Sequence, residues 1–460
     1  MGRIGRVCVL ALAFLLVACA TQAAAPRPSE TPATSPTATP RPTNAASDVL
    51  YLRSVARTGT SIVALDARTG ETLRTLPNGV MSADRSTLYA AELMNGGTET
   101  ALRVLDVASG REIRSFTIPG AFQTAMPYAG QPSLSRDGRH LVLGYPPGKF
   151  ENDWVSRLAV VDTSSGGVEA KLEVRSPSVF SFSGISPDGR SLYLTQSGEG
   201  ATRIRVFDIA TGTLLPDTDP DAAGPAQDGF RTPSVSSPDG RWLYTLDAGR
   251  ATTNCTSTDG PRCQPNATPP YIVALDLVSR RVHTVALPKE QITADFEKYL
   301  LWTVGIAPGG ERIYGINAAL GFVNEVDARR LTLLRTATIP QSRAESGVVA
   351  TLTRFFFPVA AAKRYVSTGM VFSPDGSRIY VAANKGLSVV DASTLESSAV
   401  WQKDNREFDA LALTADGERL YAVSNANGVI AILSTRDGAS LGQIKIGSVA
   451  DGILRIDSPR

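Results

Sequence analysis

The chain has 460 residues, 43% hydrophobic and 20% charged, with 40 glycines and 29 prolines. That balance is globular, sufficient for one large all-β domain or two smaller ones, and the glycine and proline counts suit a turn-rich β protein. Removing the two N-terminal arginines, Arg3 and Arg6, from 46 basic residues leaves 44 against 44 acidic ones, so charge gives no reason to expect nucleic acid or an anionic surface as partner.

Residues 1–19 read as a targeting segment. Arg3 and Arg6 form a short basic region, and residues 7–17 form an apolar core too short for a permanent span. Leu16-Val17-Ala18-Cys19 then sets small residues before a cysteine. The arrangement resembles a bacterial lipoprotein signal, and the resemblance implies that Cys19 carries lipid and becomes the new N-terminus. A plain secretory signal with an incidental cysteine is the alternative. Ala20 follows, which suits outer-membrane sorting where a cell has two membranes. Residues 20–47 are a linker in which Pro26, Pro28, Pro32, Pro36, Pro40 and Pro42 alternate with Thr, Ser and Ala. Such chain has too little apolar mass to order itself. At ~3.1 Å per residue it would hold a domain up to ~80 Å from the membrane.

From Asp48 to Arg460 one pattern recurs. Its turn element is SADRST at 82–87, SRDGRH at 135–140, SPDGRS at 186–191, SPDGRW at 237–242, APGGER at 307–312, SPDGSR at 373–378 and TADGER at 414–419. Between these stand apolar strands ending in Asp66, Asp106, Asp162, Asp208, Asp276, Asp327 and Asp391, with a degenerate copy at Ile432-Leu433-Ser434. The compact copy, residues 371–393, shows the logic. A strand ends at Phe372, Pro374-Asp375-Gly376 turns the chain, and β-branched and aromatic residues from Arg378 to Ala383 and from Leu387 to Val390 form two more strands. From Asp375 to Asp416 the period is 41 residues. A period near forty with four short strands per unit marks a β-propeller.

SPDGSRIYVAAN followed by LSVVDAST resembles the YVTN-type propeller repeat, and SPDGRSLYL is similar to the Pro-Asp-Gly blades of TolB-like propellers. The resemblance implies the fold more than any function, since such propellers serve many purposes. One copy departs from it: Gly309 replaces the turn aspartate. Naming the strands of a blade a to d from the axis outward, seven complete units begin near Gly79, Gln131, Phe182, Thr232, Trp302, Thr368 and Asp409. Residues 49–53, 61–65 and 72–76 read as b, c and d without an a, and residues 452–456 are a lone strand. The expected fold is therefore all-β: a single propeller of four-stranded antiparallel blades, with the C-terminal strand completing the N-terminal blade. Eight blades follow, or seven if the N-terminal strands form no full blade. Closure of this kind removes exposed sheet edges.

Antiparallel order puts the a–b and c–d turns on one rim and the b–c and d-to-a connections on the other. All the long connections fall in the second set: 118–129, 145–156, 217–230, 248–269, 287–301 and 339–369. Loops on a rigid scaffold are where binding residues gather, although surface loops also tolerate length at little cost. Tyr145, Lys149, Phe150 and Trp154 suit a glycan or protein partner, unless the aromatics fold back on their own blade. The apolar insert 339–369, with Phe355-Phe356-Phe357 and Lys363-Arg364-Tyr365, would cap the channel, dock a partner or plug neighbouring blades. Residues 290–299 read as a short helix.

Cys255 and Cys263 lie eight apart in a polar insert and, after export, are expected to form a disulfide. No metal site and no cofactor is expected. The two histidines fall in a b strand (His140) and a d strand (His283), and GxSxG, HExxH and P-loop patterns are absent. The aspartate of each blade is read as a turn acceptor. The four tryptophans do not recur by blade, which disfavours a quinone-dependent dehydrogenase. The functional expectation is a monomeric, extracytoplasmic, lipid-anchored protein that touches membrane only through its anchor. It would bind protein or glycan through the long-connection rim without catalysis. The alternative is a hydrolase or lactonase at the channel mouth.

Overall fold

Each copy of the repeat folds into its own sheet because its turn is satisfied locally. In the seventh blade the strands are Met370–Phe372, Arg378–Ala382, Leu387–Asp391 and Ser397–Trp401. At the first turn the Ser373 hydroxyl donates to the Asp375 carboxylate at 2.5 Å and accepts the Arg378 N–H at 2.9 Å. Gly376 takes φ 71°, a left-handed conformation open to glycine at little cost. At the c–d turn, Asp391 accepts the N–H groups of Ser393 and Thr394. Where Gly309 removes the carboxylate, the turn still closes through Gly310 N–H to Ala307 O at 2.8 Å.

The computed structural model describes residues 47–57, 59–124, 133–198, 201–216, 231–249, 253–254, 264–265, 268–293, 296–340, 369–383, 385–402 and 406–459. Among them are eight four-stranded antiparallel sheets, so the fold is an all-β, eight-bladed propeller. The expected closure is present. Val449–Asp457 pairs with Val49–Ala56 and becomes the inner strand of blade 1, outside which lie Gly59–Asp66 and Thr72–Pro77. The other inner strands begin at Val80, Gln123, Val179, Val235, Thr303, Met370 and Ala410. That of blade 3 starts earlier than the expected Gln131: Gln123–Thr124 pairs with Gly144 and Leu143, and Leu134 bridges to Leu141. Part of the segment 118–129 is therefore strand, not connection. The segment 290–299 is not one helix; a 3-10 turn at Lys289–Gln291 and a single helical turn at Phe296–Tyr299 stand in its place.

One buried apolar cluster fills each of the eight blade junctions among the described residues. Seven blades place a tyrosine in strand b: Tyr51, Tyr89, Tyr193, Tyr244, Tyr314, Tyr380 and Tyr421, all buried. Blade 3 has Val142 there. Each of these side chains joins the cluster shared with the following blade. The hydroxyl serves as a peg as well: Tyr193 donates to Leu277 O in the next blade at 2.8 Å, and Tyr421 to Asp48 in blade 1. Arg419 pairs with the same Asp48 at 3.1 Å, so the start of the domain is fastened across the seam.

Candidate functional site

Inner strands of neighbouring blades approach one another around the axis, as those of blades 8 and 1 or 6 and 7 do. Outer strands such as Thr332–Thr338 hold only exposed and half-buried positions. The two rims differ as the strand order requires. On the short rim the a–b and c–d turns are a few residues long, that of blade 3 when counted from the Leu134 bridge. The described strands that flank residues 217–230, 250–267 and 341–368 end and begin on the other rim.

The segment 145–156 is not an irregular loop. His140–Phe150 and Asp153–Asp162 are strands b and c of blade 3, extended into a hairpin whose tip is Glu151-Asn152. Tyr145, Lys149 and Phe150 are exposed on it, Tyr145 at 41% and Phe150 at 55%, while Trp154 is half-buried opposite Lys149. Phe150 leans on its own blade from one side: the Arg175 guanidinium stands 4.5 Å from its ring centre, a cation–π contact. Arg175 also approaches Glu151 and Asp153, and Arg157 pairs with Glu173 at 3.1 Å. At the hairpin's base the buried Ser156 hydroxyl accepts the Phe180 N–H of blade 4 at 3.1 Å, which holds the projection in place.

Two acid–arginine pairs lie at the long-rim ends of strands near the axis. In blade 5, Asp247 ends strand b and Arg231 precedes strand a, 3.6 Å apart. Asp247 is 1% exposed and also accepts the Gly249 N–H at 2.9 Å. In blade 1, Arg53 of strand b stands 3.8 Å from Asp451 of the inner strand. Burial pushes both carboxyls above the ordinary range, and burial likewise lowers both arginines. For Asp451 this holds although 41% of its side chain is open. The turn aspartates shift the other way. Hydrogen bonds from Ser373 and then Ser377 hold Asp375 at about 2, and those from Ser82 and Ser86 hold Asp84 at about 2.

Those turn bonds account for the recurring aspartates: Asp66, Asp106, Asp162, Asp208, Asp276, Asp327 and Asp391 each accept turn N–H groups. His140 sits at the start of its b strand, Nδ1 2.6 Å from Glu169, and His283 lies in its d strand beside Trp242. The hairpin carries Tyr145, Lys149, Phe150 and Trp154 and sets Lys149 opposite Trp154. Cys19, Cys255, Cys263, Lys363, Arg364 and Tyr365 lie outside the described residues. Sequence reasoning missed Arg53, Asp451, Arg231 and Asp247.

A family model described as outer membrane protein assembly factor BamB matches residues 30–218, less than half of the chain. No curated protein matches. Among solved structures the chain is similar to AztD of Citrobacter koseri, at 13% identity over 90% of this chain and 99% of that one, with TM-score 0.47. It is also similar to the dihydro-heme d1 dehydrogenase NirN, at 13% identity over 90% and 76%, TM-score 0.47. A third is the periplasmic gluconolactonase PpgL of Pseudomonas aeruginosa, at 16% identity over 80% and 98%, TM-score 0.40. At these scores the likenesses carry no functional weight, and the fold stands on the strand pairing above. Among the described residues no helix is long and apolar enough to cross a membrane.

Proposed function

We propose that this chain is an extracytoplasmic propeller of the YVTN repeat type that binds a protein or glycan through its long-connection rim without transforming it. The observation that carries the reading is the one-sided elaboration of the wheel, with Tyr145 and Phe150 exposed on a hairpin anchored at its base by Ser156. Aromatic side chains held out on a rigid support supply contact area at little entropic cost. A lipid on Cys19 tethers the propeller to a bacterial membrane, and residues 20–47 space it from the surface. The partial match to a family model described as an outer membrane assembly factor supports a place outside the cytoplasm.

The test compares the wild-type chain with a Tyr145→Ala/Phe150→Ala double variant on a glycan array and against surface proteins cross-linked in intact cells. Binding should fall at least tenfold while the melting temperature stays within a few degrees. Unchanged binding to every wild-type partner sinks the reading. Cys19→Ser should release the chain from the membrane fraction. A hydrolase at the channel mouth is the competing reading, favoured by the raised carboxyl of Asp451. Turnover of a lactone or ester that Asp451→Asn abolishes would establish it.

A further inference from the structure

Aligning the eight b strands on their tyrosine exposes one exception. Two residues after that position the blades carry Ala91, Gly144, Thr195, Leu246, Ile316, Ala382 and Val423: small or apolar residues, as the junction clusters require. Blade 1 carries Arg53. Its Nε is inaccessible and has no hydrogen-bond partner. Its nearest acid, Asp451, is beyond hydrogen-bonding distance at 3.8 Å. Arg53 is half-buried, and a guanidinium has five donors to satisfy, so leaving its enclosed Nε unmet is costly. Packing in a β wheel does not call for this residue, since seven other junctions do without it.

Asp451 is placed by a second irregularity. Arg53 pairs with Gly452 and Ser54 with Ala450, so Asp451 is the extra residue of a β-bulge and faces no partner in the ladder. Bulges re-aim a side chain and gather near functional sites. This one lies on the innermost strand of the wheel, at its long-rim end. Beside it the hydroxyls of Ser54 and Ser448 meet at 2.6 Å and hold the strand end. The blade 5 pair differs in kind: Asp247 is closed from solvent and tied to Gly249. Asp451 instead keeps its carboxyl partly open.

We infer that Arg53 and Asp451 form a binding site for a small monocarboxylate at the long-rim mouth of the channel. The guanidinium fork matches a carboxylate in geometry. Asp451, once protonated, donates to the bound ligand, so one positive charge meets one negative charge. A divalent phosphate would leave excess negative charge beside Asp451 and fits less well. Protonation of Asp451 is therefore coupled to binding, and binding tightens as pH falls. The groups facing Asp451 agree with this. Arg53 is the one charged side chain that acts on it among the described residues. On the preceding blade, Asp409 is engaged by the Asn425 N–H. On its own strand, Arg455 pairs with Asp457 at the far end, and Val80–Met81 of blade 2 brings no charge.

The test is calorimetric titration of the full chain in detergent with acetate, pyruvate and benzoate, and with inorganic phosphate, between pH 5.5 and 8. One monocarboxylate should bind at one site, more tightly at the lower pH. Arg53→Leu, which installs the residue blade 5 uses, should weaken it at least tenfold. Asp451→Asn should retain binding but lose its pH dependence. Should Arg53→Leu fail to fold, the Asp451→Asn profile still decides. Unchanged affinity in Arg53→Leu, an unchanged pH profile in Asp451→Asn, or preference for phosphate overturns the assignment. So does failure of all three monocarboxylates to bind. None of these outcomes bears on partner binding by the blade 3 hairpin.

Discussion

The two rims of the wheel are made from the same strands and obey different rules. On the short rim most a–b turns close on themselves: a hydroxyl, a carboxylate and a left-handed glycine satisfy one another within six residues, as from Ser373 to Arg378. On the long rim the partners come from afar. Arg53 meets Asp451 from the other end of the chain, and Ser156 meets Phe180 from the next blade. The short rim is therefore scaffold, repeated because it is self-sufficient. The long rim is free to vary, because nothing local dictates it.

The largest expected effect sharpens that contrast through glycine. Gly438, in the c–d turn of blade 8, has φ 72°, and a Cβ there would stand 2.3 Å from the Trp401 ring of blade 7. Gly438→Ala combines left-handed strain with overpacking and should destabilise the domain by about 3 kcal/mol. Gly148, in the long-rim hairpin, has no atom within 4 Å of the same position. Gly148→Ala should shift stability by less than about 0.5 kcal/mol. Urea denaturation of both variants checks the pair, and equal losses would erase the distinction between the rims.

Next in size is the turn hydroxyl. Ser373→Ala removes one donor to Asp375 and one acceptor for Arg378 N–H, and should lower stability by about 1 kcal/mol. Thr414→Ala removes the same two bonds in blade 8, to Asp416 and Arg419, and should behave alike if the turns are interchangeable. A large loss from one and none from the other would mean that neighbouring contacts, not the turn, set the value.

What the sequence discloses follows the same division. SPDG turns are readable because all their partners lie within six residues, and strand counting then yields eight blades and the seam. The junction tyrosines were legible too, as Leu-Tyr or Ile-Tyr in six of the b strands and Leu-Tyr-Leu at Leu50-Tyr51-Leu52, but reading Tyr380 merely as a β-former passed over its periodicity. The blade 3 hairpin was hidden by Pro146-Pro147-Gly148. Prolines are tolerated there because the inner strand pairs no further than Gly144 and the pairing with strand c skips Pro146 and Pro147. Arg53 is visible as an oddity once the repeats are aligned. Its partner is not, because a bulge in a strand at the opposite end of the chain leaves no local pattern.

The smallest effect is a difference in sign. Hydrogen bonds from Ser373 and Ser377 hold Asp375 at about 2, below the ~3.9 of an unfolded chain. Its contribution is complete above about pH 4 and is lost as pH falls through about 2. Burial raises Asp451, so its ionisation opposes folding, and its contribution declines as pH climbs from about 4 through its elevated value. Asp375→Asn should therefore be less stable than wild type at pH 7 and converge with it towards pH 2. Asp451→Asn should show the opposite trend, gaining on wild type as pH rises from 4 to 7, even if loss of the partner for Arg53 lowers its stability throughout. Denaturation midpoints across pH 2 to 7 measure both slopes. Slopes of the same sign would mean that the bulge residue is held as the turn residues are, by local hydrogen bonds, and that the two rims share one electrostatic rule.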